Sequence, residues 1–193
     1  EPNETIVVDI ATVTNGTESG TQQVTATITD DDAAPTVTLS ISGSPMAEAA
    51  GVATVTATLS AVSGQDVTVN LAFSGTATLT SDYTRSGTSI SITAGSTTGS
   101  VTLTAVQDTI DEPDETIVVD IATVSNGTES GTQQVTATIT DDDPPPSVAF
   151  NVTTSSGLES VTPANLSVSL SAPSGQLVTV EYAVTGGTAT GGG

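Results

Sequence analysis

Apolar and polar residues alternate along most of this chain. VATVTATLS (52–60) sets Ala53, Val55, Ala57 and Leu59 on one side and Thr54, Thr56 and Thr58 on the other. A period of two is that of a β-strand with one buried face. The same reading groups Val67, Val69, Leu71 and Phe73 in DVTVNLAF (66–73), and Val101, Leu103 and Ala105 in SVTLTAV (100–106). It also groups Ile117, Val119 and Ile121 in ETIVVDIAT (115–123), with Asp120 outward, and Val135, Ala137 and Ile139 in QVTATITD (134–141). VTLSI (37–41) and SISI (89–92) are shorter candidates. No helical period of useful length interrupts them. Ser63-Gly64 and Asn126-Gly127 carry the chemistry of hairpin turns.

The pattern repeats on a larger scale. EPNETIVVDIATVTNGTESGTQQVTATITDDD (1–32) recurs at 112–143, so that Glu1 answers Glu112, with changes only at Asn3/Asp114 and Thr14/Ser125. PTVTLSISG (35–43) answers PSVAFNVTT (146–154), and LSAVSGQDVTV (59–69) answers LSAPSGQLVTV (170–180). The expected organisation is the end of one unit (1–32), a complete unit (33–143) and the start of a third (144–193). The expected whole is a longer tandem array, with any leader or anchor outside this segment. About seven strands per 111-residue unit predict an all-β fold of tandem immunoglobulin-like antiparallel sandwiches.

Composition narrows the chemistry. The chain has 22 acidic residues against one basic residue, Arg85, for a net charge of −21, yet 35% of it is hydrophobic. That is enough to bury a core, although only 2% is aromatic and the core must be aliphatic. Such a charge repels nucleic acid and anionic membranes, so neither is an expected partner of this segment. No Cys or His is present, which removes disulfides, thiol nucleophiles, zinc–thiolate sites and imidazole bases. The absence of Lys removes Schiff-base chemistry. No enzyme is expected: carboxylate pairs can hydrolyse glycosides, but no cleft or aromatic platform accompanies these.

The acids have an order. Glu48 precedes the second strand and Asp82 follows the third. Asp108, Asp111, Glu112 and Asp114 fall between the fifth and sixth, and Asp141, Asp142 and Asp143 end the seventh. In a Greek-key sandwich those connections share one pole. Two carboxylates 4 Å apart repel by about 4 kcal/mol at an effective dielectric of 20, so several pairs would rival the stability of a domain. A hard divalent cation removes the conflict. Calcium takes six to eight oxygens at roughly 2.3–2.6 Å, and successive strand residues face opposite ways, so two or more adjacent ions are expected. Solvated acidic loops are the plainer reading. The spacing is not that of an EF-hand.

AEAAGVATVTATLS (47–60), SDYT (81–84), QDTIDEPDETIVVDI (107–121) and ITDDD (139–143), in that order, together resemble the Calx-beta domain. The resemblance implies an immunoglobulin-like sandwich that binds Ca2+ at one pole. Its ligands would come from Glu48, Asp82, Asp108, Asp111, Glu112, Asp114, Asp141, Asp142 and Asp143. In the first unit Glu1, Asp30, Asp31 and Asp32 match, while Asn3 replaces an Asp and is expected to weaken one ligand. Glu159 would belong to a third site.

The function expected from these features is a calcium-stabilised structural repeat of a large adhesin or surface fibre, extracellular and bacterial. DDDAAP (30–35) and DDDPPP (141–146) leave little slack between units, and the prolines favour an extended link. The expected partners are calcium, neighbouring repeats of the same chain, and other copies in filaments formed through strand edges. A glycan- or protein-binding adhesive module and a cytosolic calcium sensor are the alternatives. Phe73 is expected in the core, Tyr83 as a packed loop anchor, and Arg85 beside an acid or in solvent.

Overall fold

The computed structural model describes residues 1–158, 160 and 165–189, and the regular structure among them is all β. Glu159 lies outside the described residues. A hairpin comes first, β1 (Glu4–Asp9) and β2 (Gln23–Ile28). Ten strands follow: β3 (Thr36–Ser42), β4 (Met46–Ala47), β5 (Val52–Leu59), β6 (Val67–Gly75), β7 (Tyr83–Arg85), β8 (Ser89–Ile92), β9 (Thr98–Ala105), β10 (Glu115–Ser125), β11 (Thr128–Glu129) and β12 (Gln134–Thr140). The last pair is β13 (Val148–Phe150) with β14 (Val168–Leu170).

The ten central strands make two five-stranded sheets, in the orders β4-β12-β10-β6-β8 and β11-β3-β5-β9-β7. Their inner faces meet in one aliphatic core, in which Val37, Val55, Val67, Val69, Leu103, Ile117 and Val119 are fully enclosed. These are the residues that alternation assigns to the inner face. Phe73 and Val135 pack at its margin, only partly buried.

Each difference from the expected pattern has a local cause. Three short strands, β4, β7 and β11, are too brief to show a period. Two of them pair in parallel, β4 with β12 and β11 with β3, within an otherwise antiparallel sandwich. The chain reaches β4 by leaving one sheet for the other at Gly43, whose φ is +78°; a Cβ there would strike the Val52 carbonyl. Ser63-Gly64 and Asn126-Gly127 turn the chain, but neither closes a hairpin: β5 and β6 lie in opposite sheets, as do β10 and β11. Asn126 has φ +59°, the left-handed geometry that Asn tolerates. Arg85 neither pairs with an acid nor stands free; its guanidinium lies 4.2 Å from the centre of the Phe73 ring, a cation–π contact. Tyr83 is buried as a loop anchor.

The repeat provides an internal control. β1–β2 keeps the register of β10–β12, with Glu4 opposite Ile28 as Glu115 is opposite Ile139. Yet Ile6 and Val8 are 51% and 59% exposed, whereas Ile117 and Val119 are at 0%. Sequence sets the pairing; burial comes from the facing sheet.

Candidate metal centre

The connections β3–β5, β6–β7 and β9–β10, with the end of β12, meet at one pole of the sandwich. Glu48 follows β4 and is buried; its backbone N–H donates to the Thr140 carbonyl at 3.1 Å, tying it to the end of β12. Asp82 stands just before β7, its backbone held between Thr78 and Val106 and its carboxylate accepting the Thr78 N–H. The β9–β10 loop is folded on its own acids: Asp108 N–H donates to Glu48 Oε1 at 3.0 Å, and Ile110 N–H to Asp108 Oδ1 at 2.7 Å.

Two groups of carboxylates result. Glu48, Asp108 and Asp143 form one and Asp82, Glu112 and Glu115 the other, each with one oxygen per residue within 4.8 Å of its companions. Glu48, Asp82, Glu112, Glu115 and Asp141 line a shared cleft with Val106, Pro113 and Ile139, so the groups are adjacent. Oxygens on opposite sides of a calcium ion at about 2.4 Å are about 4.8 Å apart, so either group fits such an ion. Asp141 Oδ1 and Asp143 Oδ2 are buried without a hydrogen-bond partner. Buried acceptors are ordinarily satisfied, and these two are oxygens of the kind that a hard cation takes as ligands. The chain's single cationic side chain, Arg85, is engaged with Phe73.

The proton affinities record the same conflict. Burial raises the Glu115 carboxyl from 4.5 to about 7, helped by the charge of Asp82, a hydrogen bond with Asp82, and the charges of Glu112 and Glu48. Glu48 is raised by burial and then by Asp108, Asp143 and Asp141, against a lowering hydrogen bond from the Asp108 backbone. Burial also raises Glu112, with Asp108, Asp82 and Asp141 adding to it. Asp143 is raised by burial, with Asp142, Asp141, Asp108 and Asp111 contributing. Each carboxylate destabilises the charge of the others.

Other acids expected as ligands make hydrogen bonds outside the two groups. Asp114 Oδ1 accepts the Asp141 N–H at 3.2 Å, and Asn3 Oδ1 accepts the Asp30 N–H at 2.9 Å. The Asn3/Asp114 difference therefore preserves a backbone cap. Asp142 is exposed and accepts from Gln107 Nε2 at 3.2 Å. Asp111 is buried but turns to Ser174, whose hydroxyl donates to its Oδ2 at 3.1 Å. Glu1, Asp30, Asp31 and Asp32 join no group of three among the described residues; Asp30 meets the N-terminal amine at 3.1 Å. Glu115 is the member that sequence reading missed. Its signal was parity: it shares the inner face of Ile117 and Val119 and so points into the pole rather than to solvent.

Fold and site define a two-sheet β-sandwich with a carboxylate-only, hard-cation type of site at one pole. The Calx-beta domain family model matches residues 30–143 and 141–193. The chain belongs to that family of calcium-binding β-sandwich modules. Among solved structures it is similar to the crystal structure of CBD12 from CALX1.2, at 17% identity and a TM-score of 0.49 over 56% of this chain and 44% of that one. It is also similar to the crystal structure of the apo-form Calx CBD1 domain, at 20% identity and a TM-score of 0.47 over 56% of this chain and 99% of that one. The chain thus spans less than half of the length of the first of these structures. No curated protein matches it. No helix among the described residues is long and apolar enough to cross a membrane.

Proposed function

We propose that this chain is a calcium-stabilised structural repeat of a large adhesin or fibre on a bacterial surface, with calcium held where one repeat meets the next. The observation that carries the reading is the pair of carboxylate groups, Glu48–Asp108–Asp143 and Asp82–Glu112–Glu115, gathered at one pole with no protein cation. An ion in each would give Asp143 a partner, neutralise the repulsion, and tie the β9–β10 loop to the end of β12. Asp141 to Asp143 run straight into Pro144, Pro145 and Pro146, so the ions sit beside the link to the following repeat. The near-identity of 1–32 and 112–143 and the lack of cysteine suit an array that is braced by metal rather than by disulfides.

Calorimetric titration of the chain with calcium tests this, together with thermal melts in EDTA and in millimolar calcium. Saturation to 100 times Kd raises stability by about 2.7 kcal/mol. No binding heat and superimposed melts would reduce the pole to solvated acidic loops.

A further inference from the structure

The Ser-Gly turn between β5 and β6, Ser63-Gly64, has a counterpart one repeat later, Ser174-Gly175. Both turns are shaped alike: Gln65 N–H donates to Ser63 Oγ at 3.0 Å, and Gln176 N–H to Ser174 Oγ at 3.1 Å. At each, a glutamate of the preceding repeat lies against the glycine. At the second turn the Gly175 N–H donates to the Asp111 carbonyl at 3.0 Å, and Ser174 Oγ donates to Asp111 Oδ2 at 3.1 Å. Glu112 lies across Gly175; a Cβ there would stand 2.6 Å from Glu112 Oε1 and 2.8 Å from its Cγ. At the first turn Glu1, the counterpart of Glu112 in the preceding repeat, covers Gly64; a Cβ there would stand 2.5 Å from Glu1 Cγ. Neither glycine is in the left-handed region, so a larger residue there would meet the neighbour's glutamate, which would have to move aside, rather than a backbone restriction.

We infer that this Ser-Gly turn is a docking socket for the acidic loop of the preceding repeat, so that consecutive repeats meet through one joint that recurs once per unit. The socket presents a hydroxyl and a backbone N–H, and a carboxylate with its own carbonyl fills them, as charge-assisted bonding favours. Asp111 is buried at 8% exposure in doing so. Contacts between domains are ordinarily loose; a joint of the same residues in each period gives every pair of repeats the same relation. Glu112 belongs to the joint and to the Asp82–Glu112–Glu115 group. On the calcium reading above, an ion there would hold the side chain that covers the glycine.

The test is a spin-label distance measurement on the whole chain, which has no native cysteine. Labels go on Thr58→Cys and Ser169→Cys, both exposed and at matching positions of consecutive repeats. Gly175→Val and Ser174→Ala should each roughly double the width of the distance distribution, because an unfastened pair of domains moves freely. Gly157→Val, where an added Cβ meets nothing within 4 Å, should leave it unchanged. Gly64→Val should broaden the distance between labels at Thr25 and Thr136 in the same way. All arms are run in EDTA and in calcium. Widths of Gly175→Val and Ser174→Ala that match the parent in both conditions would overturn the joint, whatever happens to the melt of the sandwich. A parent distribution that ignores calcium, with broadening intact in the variants, would count against the calcium reading alone and leave the joint standing.

Discussion

Glu115→Gln should stabilise this protein without calcium and weaken its response to calcium. The sign follows from proton linkage. The Glu115 carboxyl titrates near 7 in the folded state against an ordinary 4.5. A folded value that lies above the unfolded one favours folding while the group is protonated, and that contribution is lost as pH rises toward 7. At pH 8 the ionised carboxylate therefore opposes folding, by up to about 3 kcal/mol from the gap alone. Solvent screening at a partly exposed site reduces this to about 1–2 kcal/mol. Glutamine keeps the shape and removes the charge. In EDTA at pH 8, thermal melts by circular dichroism should place the variant roughly 4–16 °C above the parent, at 4–8 °C per kcal/mol for a domain of this size. In calcium the order should narrow or invert, because one of three carboxylates in the group with Asp82 and Glu112 is gone. A variant that melts at or below the parent in EDTA would refute the electrostatic argument. An unchanged calcium-induced rise would remove Glu115 from the ligand set.

The parent chain itself should lose stability in EDTA between about pH 4.5 and 7, since Glu48, Glu112 and Asp143 are raised in the same direction as Glu115; its calcium-induced gain should grow across that window as ligands deprotonate. Melting temperature against pH, with and without calcium, checks both slopes. Asp114→Asn should change stability by less than about 0.5 kcal/mol, because Asn3 already makes the equivalent bond, whereas Asp114→Ala should cost about 1 kcal/mol in urea unfolding. Ile117→Ala should cost about 2–5 kcal/mol as a buried core truncation. Ile6→Ala, at the matching but exposed position, should stay within about 0.5 kcal/mol.

Much of the fold was legible because a strand writes its two faces into alternate residues. Val55, Val69, Leu103 and Ile117 could be placed in the core from parity alone, and the connections that carry Glu48, Asp82 and Asp108 follow from Greek-key order. What parity cannot express stayed hidden. A two-residue strand such as β4 has no period, so its parallel pairing with β12 leaves no trace in the sequence. A Ser-Gly or Asn-Gly turn specifies a change of direction but not whether the next strand joins the same sheet or the opposite one. Phe73 read as core because it shares parity with Leu71, yet it lies near the end of β6, where the edge strand of the facing sheet, β7, meets it with Arg85 rather than with an apolar side chain.

The stretch from Asp111 to Glu115 shows where sequence reading of a site stops. Its four acids look equivalent on the page, and a charge argument treats them as one reservoir. The backbone separates them. Asp111 is bonded to Ser174, so its charge is already partnered by a hydroxyl. Glu112 lies against Gly175 and is also grouped with Asp82 and Glu115. Asp114 caps the N–H at the end of β12, a task that amide and carboxylate perform alike, and the first repeat accordingly carries Asn. Glu115 has entered β10, where the alternation that buries Ile117 turns its carboxylate inward among three other acids. The one position in the run that obeys strand parity thus carries the largest electrostatic penalty, and a cation has most to gain by binding beside it.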